Sequence, residues 1–289
     1  MKLGILAAQY TADLAALRRE LEELRALGYE CIDYQGFVDT ETELFSMTDG
    51  AFEAYLRDVK AILDDVGLAV SQTHGPWRYP PQDATEEARA ERFEKMSRAL
   101  HGTAILGASY MVLHNLMPFG REDEEGSEPF VLELNRDFFA RLCDVAAGEG
   151  VTVCLENMPF PLQYMATPER TLAFVKSLGH PNLRVCLDVG HATRLGVSAG
   201  DAVRLLGKEY LRTLHVHDND GTKDRHWMPY HGLTDWEDFS AALQEIGFEG
   251  TLSIETVLAK DPAEEPLEVK KKQLFEAAKR IAGRTDALL

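Results

Sequence analysis

The chain has 289 residues, 45% of them hydrophobic, and a formal net charge of −18. That length and content can bury a large core, whereas the acidity disfavours nucleic acid, a polyanion usually bound through a basic footprint. No window reaches the roughly 20 apolar residues that cross a bilayer, and Met1-Lys2 runs straight into a strand-like segment rather than a signal peptide, so a cytoplasmic protein without a membrane span is expected.

Short apolar runs alternate with longer amphipathic ones from end to end, the pattern of strand-helix units that close a parallel sheet. Eight strands are predicted, over residues 3–8, 31–34, 69–73, 110–114, 151–156, 184–188, 213–217 and 251–256. Helices fit between them, over 13–27, 52–65, 86–106, 132–149, 168–178, 236–246 and 267–282. Gly28, Gly67, Gly107, Gly150, Gly179 and Gly247 stand where these helices stop, positions that favour a left-handed residue. The fold expected is α/β, a TIM-type (β/α)8 barrel forming one domain over 1–289, since such barrels run to about 250 residues. The longest loops follow the second, fourth and seventh strands and would cover the catalytic face; the acidic stretch 121–126 in one of them reads as a solvated turn. Cys31, Cys143, Cys154 and Cys186 lack CxxC spacing and indicate a reducing compartment rather than a disulfide framework.

The chemistry gathers where the strands end. The third strand closes in Thr73-His74-Gly75, the fourth in Leu113-His114-Asn115, the fifth in Leu155-Glu156-Asn157 and the sixth in Leu187-Asp188-Val189-Gly190-His191. The seventh continues into His215-Val216-His217-Asp218 and, after a loop, Asp224-Arg225-His226; the eighth closes in Ile254-Glu255-Thr256. One such histidine is commonly structural, and Asp188 alone reads as a helix cap. Charged groups on apolar strands are seldom tolerated unless paired or coordinated, however, and in a closed barrel all these ends converge. Parity places Cys154 with Glu156, Cys186 with Asp188, Thr213 with His215 and Ser253 with Glu255 on shared faces, with small or polar residues beneath the ligands. Because His217 shares parity with His215, pattern leaves that pair open. Mixed nitrogen and oxygen donors suit zinc, manganese, cobalt or iron(II) better than calcium. A GxSxG elbow, a P-loop and a GxGxxG turn after the first strand are absent, which removes three other chemistries. The loop aromatics Trp77, Tyr79, Phe119, Phe160, Trp227 and Tyr230 either wall a pocket or cover the barrel top.

These motifs, above all Val153-Cys154-Leu155-Glu156-Asn157, Arg184 through His191, His215-Val216-His217-Asp218 and Leu252-Ser253-Ile254-Glu255, resemble the xylose-isomerase-like superfamily along essentially the whole chain. That superfamily holds sugar isomerases and epimerases together with the endonuclease IV family of apurinic-site nucleases. The resemblance to its ketose epimerase branch implies a single metal on Glu156, Asp188, His215 and Glu255, prefers His215 to His217, and makes Glu156 and Glu255 the acid/base pair. It gives His191, with Arg225, a substrate-binding role. Resemblance to the nuclease branch implies further ligands at His74, His114, Asp224, His226 and His191, hence one to three ions. Loop 35–50 carries Asp39, Glu41, Glu43 and Asp49 with no lysine or arginine, so it suits a phosphate backbone poorly. The expectation is a metal-dependent sugar or sugar-phosphate isomerase or epimerase, with an apurinic-site nuclease or other phosphoesterase as the alternative and a homo-oligomer allowed.

Overall fold

The computed structural model describes residues 1–77, 83, 85–117, 128–161 and 163–284. The stretch 121–126 and the aromatics Tyr79 and Phe119 lie outside them. Eight strands form one parallel sheet: β1 Lys2–Ala7, β2 Cys31–Tyr34, β3 Ala69–His74, β4 Tyr110–Leu113, β5 Thr152–Glu156, β6 Leu183–Asp188, β7 Leu211–His215 and β8 Thr251–Ile254. They are ordered β7-β6-β5-β4-β3-β2-β1-β8. The ring closes through Val216, whose N–H donates to the Ser253 carbonyl (2.9 Å) and whose carbonyl accepts from the Glu255 N–H (2.9 Å). The architecture is a TIM barrel, as the alternation of runs implies.

Ten helices are described among these residues: α1 Leu14–Leu27, α2 Glu43–Ser46, α3 Asp49–Val66, α4 Glu86–Ile105, α5 Glu128–Gly148, α6 Pro168–Leu178, α7 Val189–Arg194, α8 Ala199–Tyr210, α9 Trp236–Glu245 and α10 Leu267–Ile281. Helix α3 shows how the sequence dictates one. Thr48 caps it by accepting from the Ala51 N–H, and Phe52, Leu56, Val59, Ile62 and Leu63 bury one stripe at three- and four-residue spacing. The six predicted stop glycines all have positive φ. Gly28 has a second reason to be glycine, because a Cβ there would fall 2.4 Å from the Phe275 ring where α1 meets α10.

Helices α2, α7 and α8 were not among the predicted elements. Two of them are only four and six residues long, and α7 begins inside the Asp188-to-His191 motif, where polar site residues blur an apolar stripe. Strand β7 starts at Leu211, two residues earlier than predicted, and both β7 and β8 end two residues earlier. His217 and Glu255 therefore stand just beyond regular pairing. The large core packs between strands and helices, whereas Val112, Cys154 and Cys186 form a small cluster of their own. All four cysteines are buried and free. No helix among the described residues is long and apolar enough to cross a membrane.

Candidate metal centre

Register brings the strand ends together. Asp188 on β6 is the direct partner of His215 on β7, and Glu156 on β5 pairs with Cys186 on β6. Asp188 also caps α7, accepting from the His191 N–H (2.6 Å), so the cap reading and the site reading of this residue are both realised. That cap sets His191 against Glu156 and Asp188, each 3.6 Å from its Nδ1. The loop after β7 returns through an Asp218–Trp227 bridge and carries Asp224 and His226 to the same rim. His226 has φ of 52°, costly for a residue with a Cβ, and it is held there by Nδ1–H donation to the Glu255 carbonyl (2.9 Å) and by Val257 N–H donation to its own carbonyl.

Three donor groups result, each with its ligand atoms within 4.8 Å of one another: His74, His114 and Glu156; Glu156, Asp188, His215 and Glu255; and His191, His217, Asp224 and His226. All nine sequence-predicted metal residues are thus brought together, and His217 joins them. Glu156 belongs to two groups, with Oε2 at 3.1 Å from His114 and Oε1 at 3.1 Å from His215.

Hydrogen bonding on the far side of each ring decides which nitrogen faces inward. His74 Nδ1 lies 2.9 Å from the Gly75 carbonyl, His191 Nδ1 2.8 Å from the Asn157 carbonyl, and His226 Nδ1 2.9 Å from the Glu255 carbonyl. A carbonyl can only accept, so each of these nitrogens carries the hydrogen and the neutral ring turns a bare Nε2 toward the cluster. Those Nε2 atoms meet carboxylate oxygens at 3.7 Å (Glu156), 3.4 Å (Asp224) and 3.0 Å (Asp224). A lone pair facing a carboxylate repels it unless a cation lies between them or the ring takes a second proton. The donor set therefore fits divalent metal, with imidazole ligands oriented by outer hydrogen bonds.

Without a cation, protons carry the compensation. Burial pushes Asp188 up despite His191 and His217, and drives His114 down to about 4. Burial would raise Glu156 as well, but the neighbouring His215 and His114 hold it well below the ordinary range; His215 does the same for Glu255. His191, opposed by burial but surrounded by Asp188, Asp224 and Glu156, is raised to about 10.

A cavity of about 240 Å³ opens over the centre, lined by Gln35, Val38, Trp77, Met158, Pro159 and Phe160 together with His74, His114, Glu156, His191, Asp224, His226 and Glu255. Trp77 and Phe160 thus wall the pocket, while Trp227 and Tyr230 do not line it. Arg225 does not line it either: its guanidinium sits on Asp220 (2.8 Å) and over the Trp227 ring. Sequence reasoning passed over Asp33, Gln35 and Gln72. The signal for Asp33 was an acidic residue in the middle of the short apolar run Cys31-Ile32-Asp33-Tyr34. His217, left open by parity, donates from Nε2 to Asp188 Oδ2 (3.1 Å) and stacks on His226 at 4.0 Å. Gly190 makes the room for it, since a Cβ there would lie 2.0 Å from the ring.

An eight-stranded parallel barrel with a buried histidine–carboxylate centre at the carboxyl ends of its strands defines the class. The model of the xylose isomerase-like TIM barrel family matches residues 21–274, and the chain belongs to that family. The D-psicose 3-epimerase of Agrobacterium fabrum (strain C58) is 30% identical over 245 residues, 81% of this chain and 77% of that protein. The inosose isomerase of Bacillus subtilis (strain 168) is 26% identical over 197 residues, 65% of this chain and 69% of that one. Among solved structures, the IolI protein with a bound zinc atom superposes with a TM-score of 0.71 at 18% identity, covering 97% of this chain and 96% of its own. Its relatives thus include sugar epimerases and isomerases.

Proposed function

We propose that this protein is a divalent-metal-dependent epimerase or isomerase of a small sugar, working by proton transfer at the carbon beside a carbonyl. The observation that carries the reading is the placement of two glutamates around one imidazole: Glu156 Oε1 and Glu255 Oε2 each lie 3.1 Å from His215 Nδ1, and both residues line the pocket. Glu156, Asp188, His215 and Glu255 would hold the principal ion. His74 and His114 with Glu156, and His191, Asp224 and His226, would hold further ones, for one to three ions of zinc, manganese, cobalt or iron. When bound, such an ion supplies a Lewis acid that polarises substrate oxygens.

The chain's own groups do the rest. One glutamate takes the proton from the substrate carbon and a glutamate on the other face returns one, while the apolar wall of Val38, Trp77, Met158 and Phe160 limits water. No lysine or arginine lines the pocket among the described residues, and this favours an unphosphorylated sugar. The epimerase and isomerase relatives support the same class. A second reading, phosphodiester hydrolysis at an abasic site, draws on the three adjoining donor groups. The overall charge of −18 disfavours it.

The test is incubation of metal-loaded enzyme with a panel of ketoses in deuterated water and, separately, with an abasic duplex. Solvent deuterium entering substrate carbon, with sugar conversion and an intact duplex, is expected. Duplex cleavage with neither exchange nor conversion would establish the second reading instead.

A further inference from the structure

His215 differs from His74, His191 and His226 in what holds its outer edge. Those three rings rest on backbone carbonyls, whereas His215 Nε2 lies 3.0 Å from Oδ2 of Asp33, a fully buried carboxylate on β2. Strands β8 and β1 separate β7 from β2 in the sheet order, so this contact reaches through the barrel interior rather than along a ladder. Asp33 is itself held by two amides, from Gln72 Nε2 to Oδ2 (2.8 Å) and from Gln35 Nε2 to Oδ1 (3.0 Å). Gln35 lines the pocket. A carboxylate only accepts, so the two amides and the His215 ring all donate to it.

We infer that Asp33 is a positioning residue for the metal centre: it keeps the hydrogen of His215 on Nε2, so that a bare Nδ1 faces Glu156 and Glu255. Were the hydrogen on Nδ1, the ring would point a donor into the space where the proposed ion belongs and could not ligate through that atom. A side-chain carboxylate also raises the basicity of the ring more than a peptide carbonyl does, and outer partners of this kind usually govern affinity about 10- to 100-fold. The role rests on the metal-dependent reading of the centre.

Asp33→Asn keeps the size but turns one acceptor end into a donor, so it cannot serve His215, Gln72 and Gln35 together. Calorimetric titration with manganese, and the visible spectrum of the cobalt-loaded protein, report the centre without turnover. Expected are binding weaker by about 10- to 100-fold and an altered cobalt band, alongside a lowered metal-free melting temperature from the mispaired buried amide. Unchanged affinity and an unchanged cobalt band in the variant overturn the inference while leaving the metal reading intact. A wild type that takes up no manganese, cobalt or zinc overturns both. Should the variant not fold, nitrogen-15 histidine spectra of the zinc-loaded wild type decide: a His215 proton on Nε2 supports the role, and one on Nδ1 refutes it.

Discussion

At the scale of single residues, the two glutamates are the sharpest commitment. Glu156 is buried to 1% exposure and shared between two donor groups, whereas Glu255 has Oε2 buried without a hydrogen-bond donor, 3.1 Å from Nδ1 of His215. Replacing either by glutamine preserves volume and removes the proton-accepting oxygen. A fall in turnover and in deuterium exchange of about 100- to 10,000-fold is expected for Glu156→Gln and for Glu255→Gln. Metal content measured on each variant separates lost proton transfer from lost ligation. A variant that retains its metal and still exchanges at the wild-type rate would remove that glutamate from the acid/base pair.

At the scale of elements, the long loop between β7 and α9 is the piece that must be organised, because it delivers Asp224 and His226. Asp218 does this. Its fully buried carboxylate accepts from the N–H groups of Asn219 (2.9 Å), Gly232 (2.9 Å) and Thr234 (3.1 Å) and from the indole of Trp236 (2.9 Å). Asp218→Asn places a donor against at least one of these donors, and an unsatisfied buried group costs roughly 1–3 kcal/mol. A lower melting temperature, together with weaker binding of the additional ions, is the expected outcome of thermal melts and zinc titration.

The segment after β8 is pinned in a similar way by Asp261. Burial alone would raise this carboxyl, but the N–H groups of Met228 and Ala263 and the His231 ring hold it below its ordinary value. A lowered folded-state pKa means that the charged form stabilises: the contribution is complete above about pH 4 and disappears as pH falls through the folded value. Melting of wild type and Asp261→Asn should therefore differ at neutral pH, and the difference should shrink as the solution is acidified below about pH 4. A difference that persists unchanged in acid would show that the carboxylate's charge plays no part.

At the scale of the whole molecule, the net charge of −18 and the inward-facing carboxylates act in the same direction. The ligand oxygens of Glu156, Asp188 and Glu255 lie within 4.8 Å of one another, so a bound divalent cation takes over the charge compensation that protonated histidines such as His191 otherwise supply. A ligand that binds only the native state stabilises it by about 2.7 kcal/mol at 100 times its dissociation constant. Calorimetric melting should thus rise with added manganese or zinc and fall on chelation, and the change should reverse when metal is restored. A melting temperature indifferent to both would contradict a metal centre of this kind.

The sequence by itself determined the barrel, the succession of its eight strands and the identity of the nine candidate ligands. Periodicity and turn glycines report local backbone preference, and that local order is what a single chain encodes most directly: Thr48 and Gly67, the two caps of α3, act within a few residues of themselves. Only the tertiary structure decided how those ligands divide into groups, that His217 joins one of them, that Arg225 turns to Asp220 instead of the pocket, and that Asp33 reaches His215 from across the barrel. The physical reason is that hydrogen-bond partnership between residues separated by as many as 182 positions depends on how far each strand end projects. Side-chain parity narrows that projection to a face, and it takes packing against the opposite strands to fix which nitrogen, and which oxygen, meets which.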